Sequence, residues 1–188
     1  MSIEYTNRAG KIYSLHIEKT NKGNDKYFFS SKKGGDLAES IPNGYEIYEN
    51  VNAQVFLRKI QPKTIRDQEL KIIAQEIQKH ANPHRYKYDV KKTIITVYEI
   101  DQDIERLSDF LQFADKAKAV EKHLLENATY SPIMRFILEH KEKRLFVTER
   151  FCFRGSVEDW IYIGGPDSLS QEANTFIKHL GKESFFEL

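Results

Sequence analysis

The chain has 188 residues, 40% of them hydrophobic and 30% charged, a balance that fits a packed globular protein and excludes an intrinsically disordered one. Lys and Arg number 29 against 28 Asp and Glu, so there is no whole-protein basic field of the kind a dedicated nucleic-acid binder carries. The single cysteine, Cys152, excludes an intramolecular disulfide and the common structural zinc patterns.

The stretch "MSIEYTNRAGK" lacks a signal peptide's apolar core. No apolar run approaches the ~18 residues that span a bilayer. The expectation is a cytoplasmic protein of bacterial style with no membrane association.

"KIYSLHIE", residues 11–18, alternates Ile12, Ser14 and His16 with Tyr13, Leu15 and Ile17, the period of a half-buried strand. "TNKGND" follows as a turn and "KYFFSS" as the partner strand, ended by "KKGGD". "PNG" opens the next element. "YEIYE" and "QVFLRKI" both alternate, and the Asn-rich "NVNA" joins them, which predicts a β-hairpin over 44–60. The first sixty residues therefore read as a four-stranded antiparallel meander.

Thr64 is placed to cap a helix, and Leu70, Ile73, Ala74 and Ile77 fall on one helical face. Pro83 in "HANPH" ends that helix. "RYKYDV" and "TIITVYEI" read as a hairpin turned at "KK". Residues 101–126 return to a helical stripe through Ile104, Leu107, Leu111, Ala114, Val120 and Leu124. "PIMRFILEH" and "RLFVTERFCF" form a long hairpin about "KEK", "VEDWIYI" is a third strand, and "GGP" breaks the sheet. Ser168 with Gln171 makes a capping box. Leu169, Ala173, Phe176, Ile177 and Leu180 give an amphipathic helix that Gly181 ends. "SFFEL" reads as an extended tail.

This order is no regular βαβ alternation, so a segregated antiparallel sheet with helices on one face fits better than a doubly wound nucleotide-binding fold. The fold class is α+β: an N-terminal antiparallel β-meander, then an antiparallel sheet with about three helices. A β-rich lobe over residues 1–62 and an α+β lobe over 63–188 are expected, as two lobes or as parts of one domain. "KYFFS" followed by "IPNGYEIYENVNAQVFLRK" resembles a stretch of an uncharacterised bacterial protein family. That resemblance implies a recurring β module and carries no catalytic residue across.

Several constellations bear on function. Tyr45, Tyr48 and Arg58 on the hairpin form a candidate binding face, since aromatic and Arg side chains anchor interfaces. Tyrosines also suit strands for structural reasons alone. Arg135 and His140 have an R-x4-H spacing known from some ribonuclease toxins, but the alternation around them is that of a strand. His80 and His84 lie four apart, yet Pro83 interrupts the helix and no further ligand completes a metal set. "IGGPDS" lacks a P-loop's Lys-Ser/Thr, and Asp167 would repel an anion there. Neither a metal site nor a cofactor is expected.

The densest cluster is "TERFCFRGSVEDW". Arg150, Cys152 and Arg154 share one strand face, opposite Phe151 and Phe153. If the two Phe face the core, the two arginines form a surface for a carboxylate or phosphate, with Trp160 close by. The competing reading is a solvated face of cross-strand ion pairs. Cys152, between two Phe, reads as a small buried hydrophobe.

These features point to a non-catalytic binding or protein-interaction module, with a protein partner or a second copy of the chain as ligand. The alternative is an enzyme acting on an anionic small molecule or nucleic acid through the arginine/carboxylate face. A third reading uses Lys87, Lys91 and Lys92 with Tyr86 and Tyr88 to bind nucleic acid.

Overall fold

The computed structural model describes residues 2–102, 125, 127–154 and 157–188. Two compact units are present. One contains Met1–Gln61, the other Pro62–Asp103 with Thr129–Leu188.

In the first unit, β1 (Glu4–Thr6), β2 (Ile12–Lys19) and β3 (Asp25–Ser30) form an antiparallel sheet in that order. The expected four-stranded meander is thus divided: β2 and β3 pair as expected, β1 is added at the edge of β2, and the hairpin that follows is not laddered to β3. β4 (Tyr45–Glu49) and β5 (Val55–Lys59) pair antiparallel as a separate two-stranded sheet. The Asn-rich loop explains the hairpin. Asn50 Oδ1 accepts from the Asn52 and Gln54 N–H groups at 2.9 and 3.0 Å, an Asx-type closure that substitutes for backbone pairing. Polar side chains tie β1 and the turn after it to the hairpin. Tyr5 donates to Glu49 at 3.0 Å and Asn7 Nδ2 donates to the Ala53 carbonyl at 2.6 Å.

In the second unit, α1 (Asp67–His80) precedes β6 (Tyr86–Lys91) and β7 (Ile94–Ile100). β8 (Tyr130–His140), β9 (Leu145–Arg154), β10 (Val157–Ser168) and α2 (Leu169–Phe176) follow. The five strands form one antiparallel sheet in the order β10-β9-β8-β7-β6. One face of it carries Tyr86, Ile95, Val97, Met134, Phe136, Leu138 and Phe146. These pack with Ile73 and Ile77 of α1 and Ala173, Phe176 and Ile177 after β10 into one buried core. Helices thus cover one face of the sheet, as segregated α+β architecture requires.

The start of α1 differs from expectation. Its N-cap is Arg66, not Thr64, and the Glu69 carboxylate accepts from the Arg66 N–H at 2.7 Å. At α2, Ser168 Oγ accepts from the Gln171 N–H at 3.3 Å, one half of the expected capping box, while the Ser168 N–H donates to Asp167 Oδ1 at 2.6 Å. "GGP" does not break the sheet. β10 runs through it to Ser168, with register shifts between Tyr162 and Gly164 and between Gly164 and Asp167, because β-bulges absorb the irregular residues without ending the ladder. The tail is not extended either: Glu183–Phe185 form a 3-10 turn with Phe185 buried. Among the described residues there are two α-helices. The helix expected over 101–126 lies outside the described residues. No described helix is long and apolar enough to cross a membrane.

Candidate functional site

The hairpin register sorts its candidate residues. Glu46 faces Arg58 and Tyr48 faces Phe56, while Tyr45 faces Lys59 and Ile47 faces Leu57. By the two-residue period, Glu46, Tyr48, Phe56 and Arg58 share one side and Tyr45 lies on the other. The shared side is tightly organised. The Arg58 guanidinium stands 4.0 Å from the Tyr48 ring centre and its Nε donates to Glu46 at 2.8 Å. Tyr48 and Phe56 rings lie 6.4 Å apart. Phe56 keeps 45% of its surface exposed.

The β9 cluster is arranged otherwise. Arg150 and Cys152 are buried, whereas Phe151 is half-buried. The side expected to face solvent is the covered one. Arg150 Nε donates to the Leu188 carbonyl at 2.9 Å and its terminal NH2 to the Phe186 carbonyl at 3.2 Å. The Arg154 side chain lies outside the described residues. Trp160 meets Phe151 edge to face at 5.2 Å, and the arginine over its ring is Arg135, at 4.2 Å. Arg135 Nε also donates to Glu149 at 2.5 Å.

Arg135 and Glu149 belong to a cross-sheet row. Asp89, Thr96, Arg135, Glu149 and Tyr162 are in register across all five strands, on the side away from the helices. On that side Tyr98 has its hydroxyl pKa pushed above the ordinary value by burial, with Asp89 adding to the effect. Arg135 and His140 have separate partners. Both lie on strand β8, Arg135 is engaged by Glu149, and the His140 ring is 3.9 Å from Glu139.

Other candidates also resolve. Lys87 lies over the Tyr130 ring at 4.0 Å, while Tyr86 is buried and donates to Glu99 at 2.9 Å. The proposed Lys/Tyr cluster is therefore split between two faces of the sheet. His80 ends α1 with its Nε2 3.2 Å from Glu76. Among the described residues, no group of three His, Cys, Asp or Glu side chains is placed to hold a metal ion.

One feature had no counterpart in the pattern reading. An open cleft of about 580 Å³ lies in the first unit, lined by His16, Lys19, Phe28, Lys32, Gly34 and Gly35 among others. Its sequence signal is the "KKGGD" turn beside a histidine-bearing strand.

Together the fold and these surfaces define an α+β protein built on antiparallel sheets. Comparison with models of known families, with curated proteins and with solved structures finds no match to this chain.

Proposed function

We propose that the protein is a non-catalytic interaction module whose contact surface is the Glu46–Tyr48–Phe56–Arg58 side of the β4–β5 hairpin. The observation that carries this reading is the pre-arranged stack of Arg58 on Tyr48 beside the exposed Phe56. Tyr and Arg are the residues that most often dominate binding energy. A stack already held by Glu46 loses little side-chain freedom on contact.

The patch is also self-complementary. Its carboxylate and guanidinium are already paired within one chain, and a two-fold axis would set two such pairs side by side with opposite charges facing. A second copy of the chain is the partner this favours. The enzymatic alternative rested on Arg150 and Arg154. Arg150 supports it less, because its donors are taken by the Phe186 and Leu188 carbonyls.

Sedimentation equilibrium over a concentration series tests the reading. The natural chain should self-associate, Arg58→Glu should abolish this, and Arg58→Glu with Glu46→Arg should restore it. A natural chain that stays monomeric up to about 1 mM, equivalent to only about 4 kcal/mol of binding, would refute it.

A further inference from the structure

The cleft of the first unit is lined by charges of both signs, Lys19 and Lys32 with Glu18 and Asp36. Residues 8–36, which contain the whole lining, hold seven Lys or Arg and three Asp or Glu, although the whole chain is nearly neutral. Lys19 is paired with Asp25 at 2.5 Å. Lys32, on the cleft lining, makes no ion pair among the described residues. Its cation is available to a ligand.

The other lining groups are polar or geometrically unusual. His16 is buried at 5% exposure, with Phe28 stacked on its ring at 5.4 Å. Its Nε2 is buried and makes no hydrogen bond among the described residues. A buried polar atom without a partner is uncommon and calls for an explanation. Gly34 and Gly35 both hold positive φ, +100° and +86°, a backbone that other residues adopt only with strain. A Cβ on Gly35 would stand 3.4 Å from His16 Nδ1, so this loop closes against the histidine. The Gly34 and Gly35 N–H groups donate to nothing among the described residues. Asp36, next along, holds the loop to β2 by accepting from the Ile17 N–H at 2.9 Å.

We propose that this cleft binds a small phosphorylated molecule. The phosphate would sit between Lys32 and the Gly34–Gly35 backbone, beside His16. A phosphate offers three acceptor oxygens in a compact group, which suits one ammonium and two adjacent N–H donors. The rest of the ligand carries hydroxyl donors, since Glu18 and Asp36 also line the cleft and can only accept. The same two carboxylates disfavour a long polyanion such as nucleic acid. The volume falls in the ~300–1,000 Å³ range of small-molecule pockets. This inference goes beyond the hairpin reading and stands without it.

The full chain, labelled with ¹⁵N, can be titrated with inorganic phosphate, ribose 5-phosphate and ribose. Ribose 5-phosphate should shift the Gly34 and Gly35 amides and the His16 ring saturably, and more tightly than inorganic phosphate. Ribose should leave them in place. Lys32→Glu, an exposed change that spares the fold, should weaken ribose 5-phosphate at least about tenfold, the scale of one charge-assisted bond. Gly35→Val should abolish binding, and Arg58→Glu should leave it intact. The proposal is overturned if Lys32→Glu binds unchanged. It is equally overturned if the shifts spread over every lysine-rich surface without saturating, or if ribose shifts the same residues.

Discussion

The Arg150 side chain on β9 reaches past its own strand to hold the Leu188 carbonyl at 2.9 Å. It is 5% exposed and holds the Phe186 carbonyl as well, so a buried cation fastens the tail. Hydrogen bonds to a charged group contribute about 1.5–3 kcal/mol each.

Replacing Arg150 by Ala should therefore destabilise the chain by about 2–3 kcal/mol in urea unfolding. Hydrogen exchange of residues 183–188 should accelerate in parallel. Unchanged stability and unchanged tail protection would show that the arginine is idle.

Arg144 offers a second, independent test. It sits in the β8–β9 turn, and its guanidinium grips Glu69 of α1 through Nε–Oε1 at 2.9 Å and a terminal NH2–Oε2 bond at 2.5 Å. Both side chains are largely covered, at 18% and 9% exposure. Removing one partner of such a pair strands the other charge, so Arg144→Ala should cost about 3 kcal/mol. Arg144→Lys should recover only part of this, because an ammonium cannot reproduce the fork geometry. Equal stability of the Lys variant and the natural chain would contradict the bidentate reading.

Glu172 predicts a pH effect. It is buried in α2 and accepts from Thr148 Oγ1 at 2.5 Å. Burial raises its pKa above the ordinary 4.5, opposed by the Thr148 bond and aided by Asp167. The folded chain therefore keeps this proton after the unfolded chain has released it. Its stabilising contribution is full below about pH 4.5 and falls as pH rises through the raised folded value. Glu172→Gln keeps a partner for Thr148 and removes the titration. The variant should gain thermal stability over the natural chain as pH increases from about 5 to about 8. A Tm difference that does not change with pH would exclude this origin.

At Gly164, β10 passes close to α2. A Cβ there would collide with the Phe176 ring and come to 3.2 Å from Glu172 Oε2. Phe176 is itself buried in the core. Gly164→Ala should cost about 1–3 kcal/mol, the usual penalty of overpacking. Thermal unfolding measures it directly, and a neutral result would mean that the ring can rotate away.

Much of the secondary structure follows from local chemistry. The hairpin at 45–59 is written in its alternation and in Asn50, whose carboxamide closes the turn with no distant help. Ser168 caps α2, and Pro83 limits α1, for equally local reasons. Bulges are less legible. "GGP" reads as a break because the residues that keep β10 paired, on β9, are distant in sequence.

What the sequence by itself determined is therefore which residues alternate, where chains turn and which residues share a strand side. Only the tertiary structure decided which side is buried. Alternation places Arg150 opposite Phe151, but the arginine side is the covered one, where Arg150 donates to the Phe186 and Leu188 carbonyls. It also separated Tyr45 from Tyr48 and Arg58, because cross-strand register assigns the two sides of the hairpin. Trp160 gained Arg135 rather than its sequence neighbours, since packing across a sheet depends on strands brought together from afar. The cleft at His16 has the same origin: strands β2 and β3 and the Gly34–Gly35 loop each supply a wall, and a cavity exists only once those walls are folded against one another.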